Sequence, residues 1–153
     1  MITENSLTIA VDFDGTIVEH KYPEIGKEML FAFATLKALQ KKGHKLILWT
    51  FRSGTSLDEA VAYCKSNGIE FYAVNKNFPE EEFNDSVSRK INADIFIDDR
   101  NVGGFLGWSE IWQILHPDGG AFNHQLKDPL AHQNYKTAKR SWFRNLFNSD
   151  DSL

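Results

Sequence analysis

The apolar run Leu7-Thr8-Ile9-Ala10-Val11 empties into Asp12-Phe13-Asp14-Gly15-Thr16, and no other stretch restricts the fold of this chain so strongly. The run is rich in β-branched residues and stops at Gly15, so it reads as a strand that delivers its last residues into a turn. Apolar residues at consecutive rather than alternate positions point to a strand covered on both faces, as in a parallel sheet flanked by helices. Sheets of that kind carry their ligand sites at the carboxyl ends of the strands. Two carboxylates spaced i and i+2 therefore stand where a site is expected, and in extended geometry both face the same way. The alternative is a pair of loop carboxylates that merely cap the following helix.

The rest of the chain continues the alternation of strand and helix. A 3.6-residue stripe through Met29, Ala32, Phe33, Leu36 and Leu39 predicts a helix stopped by Gly43, with Lys41 and Lys42 at its negative end. Residues 45–49 predict a second buried strand ending at Thr50, with His44 as a surface residue at its start. Ser56-Leu57-Asp58-Glu59 reads as a capping box that opens a helix ending near Gly68. Residues 71–74 predict a third strand, 75–85 a loop broken by Pro79, and 87–91 one helical turn. Residues 94–97 predict a fourth strand ending at Asp98-Asp99, and 108–115 a short amphipathic helix. This order predicts an α/β domain with a mainly parallel sheet.

Composition narrows the functional classes. At 153 residues and 42% hydrophobic content, the chain has material for one full core. Its formal net charge of −4 provides no general basic face, which argues against an obligatory nucleic-acid partner. The single cysteine, Cys64, rules out a disulfide framework and a thiolate metal site, and its apolar setting predicts a buried, inert thiol. The first residues lack the character of a signal peptide and no apolar run approaches a membrane span, so a cytoplasmic setting is expected.

Three of the four strands end in polar groups: Asp12 and Asp14, then Thr50, then Asp98 and Asp99. Brought together, carboxylates repel by roughly 4 kcal/mol per pair at 4 Å, taking an effective dielectric of about 20. A hard divalent cation relieves that repulsion, and Mg²⁺ prefers carboxylates together with water and phosphate oxygens. No Cys or His cluster competes, which argues against zinc. A carboxylate beside bound Mg²⁺ can act as a nucleophile and a second as its acid–base partner, and the substrate that suits this set is a phosphomonoester. Thr50 would offer its hydroxyl to a phosphoryl oxygen. A lysine is then needed, and Lys90, eight residues before Asp98, is favoured over Lys76.

The order Asp-x-Asp-Gly-Thr, strand-end Thr, Lys, strand-end Asp-Asp resembles the haloacid dehalogenase superfamily, specifically its Mg²⁺-dependent phosphatases, over residues 7–115. The resemblance implies a three-layer Rossmann-like sandwich with residues 1–116 as the hydrolase core. It implies that Asp12 attacks phosphorus to form an aspartyl-phosphate. Asp14 then protonates the leaving oxygen and activates water, while its backbone carbonyl helps hold the metal. Thr50 and Lys90 grip the phosphoryl group, and Asp98 and Asp99 complete the Mg²⁺ site with Asp12 and Asp14. Gly15, Thr16, Arg52 and Ser53 are expected to contact the substrate. Members of this superfamily carry a cap domain either after the Asp-x-Asp strand or between the Thr and Lys motifs. Here residues 17–26 suffice only for a flap, and 51–89 are filled by a helix, a strand and a loop, so the resemblance implies a capless member. Selectivity then falls to the flap, to Arg52, Ser53 and Asn75 at the rim, to the C-terminal extension or to a neighbouring subunit.

The expected function is hydrolysis of a small phosphorylated metabolite, a sugar phosphate or a nucleotide. The alternatives are a nucleic-acid end phosphatase and a catalytically silent binding protein. A phospho-receiver domain fits less well, because its acidic pair comes on the first strand and its lysine last. Residues 117–153 lie outside the resemblance. Within them Lys136, Lys139, Arg140 and Arg144 interleave with Tyr135, Ala138, Trp142 and Leu146, which predicts an amphipathic basic helix. It would fold back on its own domain or dock on a second copy of the chain, and it is too short and too charged for stable membrane insertion.

Overall fold

The computed structural model describes residues 6–117; the expected C-terminal helix lies outside the described residues. Four short strands form one sheet in the order β3-β2-β1-β4: β1 (Thr8–Val11), β2 (Lys45–Leu48), β3 (Ala73–Val74) and β4 (Ile95–Ile97). All three pairings are parallel, with Ala10 opposite Ile47 and Phe96, and Ile47 opposite Ala73. Between β1 and β2 lies α1 (Ala32–Lys41), and between β2 and β3 lies α2 (Gly54–Ser66). A third helix, α3 (Trp108–Leu115), follows β4. This is the small α/β domain with a parallel sheet that the alternation predicts. No helix among the described residues is long and apolar enough to cross a membrane.

The consecutive apolar residues of β1 do serve two faces. Ala10, Ile47 and Ala73 line one face and form a buried cluster with Ile91, against which Trp49 and Ala93 pack. Ile9, Val11, Leu46 and Leu48 alternate with them and point the other way, and all four are fully buried. Burying an aliphatic side chain of this size contributes about 1.5–3 kcal/mol. Helix α1 packs on β2 and buries Leu36 and Leu39. On α2, Tyr63 meets Phe33 of α1 at 5.7 Å and Phe13 at 6.3 Å between ring centroids. Cys64 is buried as expected, and burial pushes its thiol up to about 12.

Several boundaries differ from expectation. Helix α1 begins at Ala32 because Met29 donates its N–H to the Ile17 carbonyl at 2.9 Å, so its backbone belongs to the preceding segment. Phe31 then turns the chain through a φ of 64°. Helix α2 begins at Gly54, before the capping box; the Ser56 hydroxyl donates to the Ser53 carbonyl at 2.9 Å and caps nothing. Strand β3 is two residues rather than four, and 87–91 form bends and irregular chain, not a helix. His44 is buried, with its Nδ1 accepting from the Leu7 N–H at 3.1 Å.

The described residues fall into two units, 6–105 and 106–117, so α3 belongs to the second. Within that unit the rings of Trp112 and His116 stand 4.3 Å apart. The whole sheet and the site below lie in the first.

Candidate active site

A parallel sheet places all its strand ends on one edge, and here each end contributes a polar side chain: Asp12 after β1, Thr50 after β2, Asn75 after β3 and Asp98 after β4. Strand order reverses at β1, whose neighbours are β2 on one side and β4 on the other. That reversal is where open α/β sheets bind ligands. A cleft of about 790 Å³ opens there, lined by Asp12, Asp14, Thr50 and Asp98 among others.

Asp12, Asp98 and Asp99 each bring a carboxylate oxygen within 4.8 Å of the other two. Burial pushes Asp12 up to about 7, and the charges of Asp98 and Asp99 add to that rise; hydrogen bonds from the Phe13 backbone and from Thr16 oppose it. The Thr16 hydroxyl, itself fully buried, donates to Asp12 Oδ2 at 3.1 Å. Asp98 Oδ1 accepts the Arg100 N–H at 2.7 Å. Asp99 Oδ1 is buried and has no hydrogen-bond partner among the described residues. A buried carboxylate oxygen with nothing to accept from is costly, and a divalent cation bound by oxygen ligands would satisfy it. The three residues therefore fit a hard cation. Gly15 makes the approach possible: its φ is +86°, and a Cβ there would stand 2.2 Å from Asp99 Oδ2.

Asp14 is held differently. Its two oxygens accept from Arg52 Nε and Nη2, both at 2.7 Å, in a two-bond pair. Arg52 is buried, and its guanidinium also donates to the carbonyls of Pro23 at 2.8 Å, Glu24 at 2.8 Å and Ser56 at 3.3 Å. It lies over the rings of Phe13 and Tyr22 at 4.9 and 5.3 Å. Hydrogen bonding to Asp14 raises the Arg52 pKa further. Arg52, expected at the rim as a substrate contact, lines the cleft and is also the tie between Asp14 and the segment after β1. That segment folds back on itself, with Val18 bridged to Glu28 and the Glu19 N–H donating to the Lys27 carbonyl at 2.7 Å. Gly26 permits the tight return, since a Cβ there would meet the Glu19 carbonyl oxygen at 2.1 Å. Its tip carries His20 and Tyr22 onto the cleft wall.

Thr50 lines the cleft, with its N–H held by Asn75 Oδ1 at 2.8 Å and its Oγ1 accepting the Arg52 N–H at 3.2 Å. Other expected contacts lie elsewhere. Gly15 spends its N–H on the Val18 carbonyl, and Ser53 is exposed at the start of α2, off the cleft. Lys90 does not line the cleft; its ammonium stands 5.7 Å from the ring centroid of Phe96. Lys76 donates to the Pro79 carbonyl and is also off the cleft. Besides Arg52, the cations that line it are Arg89 and Arg100, with Arg100 Nη2 lying 3.4 Å from His20 Nε2. Both arginines sit next to motif residues, Arg89 before Lys90 and Arg100 after Asp98-Asp99, and that adjacency is the only signal the sequence carries for them. Tyr22 lines the cleft from the segment expected as a flap, whereas Phe51 and Phe83 line it without being expected there, although Phe51 directly follows Thr50.

No family model matches the chain, and no curated protein does. Among solved structures, the chain is similar to one described as the structure of a conserved protein coded by a locus of Bacteroides thetaiotaomicron. The two share 55% identity and a TM-score of 0.70, over 76% of this chain and 94% of that one.

Proposed function

We propose that this chain, which belongs to the same family as the conserved Bacteroides thetaiotaomicron protein, is a Mg²⁺-dependent phosphomonoester hydrolase of the haloacid dehalogenase type, with a three-layer core and no cap domain. The observation that carries this reading is the carboxylate triplet at the strand reversal, with a buried Asp99 oxygen that lacks a partner among the described residues. Asp12, Asp98 and Asp99 would hold the cation, with the Asp14 backbone carbonyl as the further ligand that the resemblance implies. When bound, Mg²⁺ neutralises the carboxylates and draws charge from the phosphoryl oxygens.

In this reading an Asp12 oxygen, oriented by the Thr16 hydroxyl, attacks phosphorus as the bond from phosphorus to the ester oxygen breaks. The departing oxygen takes a proton from Asp14. Water then attacks the phosphorus of the aspartyl-phosphate, Asp14 takes a proton from that water, and orthophosphate leaves with Asp12 restored. Both Asp14 oxygens accept from Arg52, so Asp14 can carry the proton only when one of those two bonds opens, and Arg52 and the segment it holds would gate the proton transfer.

Because Thr50 Oγ1 accepts from the Arg52 N–H, its own O–H is left to donate to a phosphoryl oxygen. Arg89 and Arg100 supply, on the cleft wall, the positive charge expected of Lys90. The substrate is a small phosphorylated metabolite. A phosphate-release assay on the wild-type chain and Asp12→Asn, with and without Mg²⁺, tests the proposal.

A further inference from the structure

The wall of the cleft beyond the carboxylates is aromatic. Phe51 is 96% exposed, Phe83 60% and Tyr22 50%, and all three line the same cleft as Asp12. Large apolar rings are ordinarily drawn inside, and a group of them exposed around one cavity marks a place where something apolar binds. The cation on this wall is arranged with the rings, since the Arg89 guanidinium lies over Phe83 at 5.2 Å. Rings and an arginine plane together make a surface for stacking a flat, electron-rich ring.

The same wall has few acceptors left for the hydroxyls of a sugar. A hydroxyl-rich leaving group needs paired donors and acceptors, and the rim residue best suited, Asn75, already spends its Oδ1 on the Thr50 N–H at 2.8 Å. The carboxylates on the cleft, Asp12, Asp14 and Asp98, are committed to the cation cluster or to Arg52. A cleft of about 790 Å³ has room for a ring and a pentose beyond the phosphoryl group.

We propose that the ester this cleft receives is a nucleoside monophosphate, its base stacked on Phe51 and Phe83 with the phosphoryl group at Asp12. The inference rests on the reading of the cleft as a phosphomonoester site and names its substrate class.

Binding rather than turnover tests it, so that a failure of hydrolysis does not obscure the outcome. Calorimetric titration of the Asp12→Asn chain with adenosine 5′-monophosphate and with glucose 6-phosphate, in the presence of Mg²⁺, compares the two esters on one uncleaving protein. The nucleotide should bind at least tenfold more tightly. Phe51→Ala and Phe83→Ala should each lower nucleotide affinity by about tenfold, with the melting temperature kept, and Phe51→Trp should restore it. Equal affinity for the two esters, or nucleotide binding indifferent to both alanine variants, overturns the proposal. A 5′-phosphorylated tetranucleotide forms a third arm. If it binds tenfold more tightly than the mononucleotide, the ligand is a strand end and the mononucleotide assignment falls. Whether phosphate is then released is read separately on the wild-type chain, so the substrate class and the hydrolase reading fail independently.

Discussion

Arg52 and Asp14, 38 residues apart in the chain, are joined by two hydrogen bonds of 2.7 Å each, and the arginine is buried. The pair ties the turn after β1 to the turn after β2, and through the Pro23 and Glu24 carbonyls it fixes the returning segment between them. Removing one partner of a buried ion pair typically costs about 3–5 kcal/mol, because the other is left uncompensated. Arg52→Ala should lose stability of that order. Arg52→Lys keeps the charge but not the planar fork, and should still unfold at a clearly lower urea concentration than wild type. A lysine variant with the wild-type midpoint would show that the fork is unimportant.

The raised pKa of Asp12 gives a pH dependence with a defined sign. Its ordinary value is 3.8 and its value in the fold is about 7, so between these the folded state binds the extra proton. Stability from this group is full below about 4 and is lost as pH rises through 7. Without divalent cations, the melting temperature should fall across that window more steeply in wild type than in Asp12→Asn. Identical slopes in the two proteins would contradict the assignment.

Gly15 faces the Asp99 carboxylate so closely that any side chain would displace it. Gly15→Ala should cost about 1–3 kcal/mol through backbone strain alone. It should also weaken the rise in melting temperature on adding Mg²⁺, a rise expected in wild type by mass action. Asp98→Ala and Asp99→Ala should weaken the same response without the backbone penalty. A Mg²⁺ response unchanged in all three would count against the cluster as a cation site.

Arg89 lines the cleft and its neighbour Lys90 does not. Arg89→Ala should therefore raise KM for a phosphate ester by about tenfold, as expected for a lost charged hydrogen bond, whereas Lys90→Ala should change it by less than about threefold. Steady-state kinetics on both variants decides between them, and the reverse order would restore the phosphoryl-binding role to the lysine.

That contrast shows where the sequence is informative and where it is not. The strand ends carrying Asp12, Thr50 and Asp98 are legible because buried parallel strands announce themselves as short apolar runs, and the polar residue at the end of each run must lie on one edge of the sheet. The Arg52 pair is not legible, since nothing in local spacing links an arginine to a carboxylate on another strand end. Which of Arg89 and Lys90 faces inward is also hidden, because 87–91 are bends and irregular chain without a helical or strand period to orient them. The start of α1 is obscured for a related reason. Met29 satisfies the apolar stripe, but its N–H is taken by Ile17 in the returning segment. His44 carries no pattern that would reveal its bond to the Leu7 N–H.

At the centre stands the assignment of Asp12 as the group that accepts the phosphoryl at a Mg²⁺ site built with Asp98 and Asp99. The most direct measurement is release of p-nitrophenol from p-nitrophenyl phosphate by purified wild type and Asp12→Asn, each with Mg²⁺ and with excess chelator. The account predicts turnover by wild type with Mg²⁺, loss of it on chelation, and less than about 1% of it in Asp12→Asn, in line with removal of a nucleophile. Chelator-insensitive turnover, or an Asp12→Asn chain retaining more than a few per cent of the wild-type rate, would contradict it.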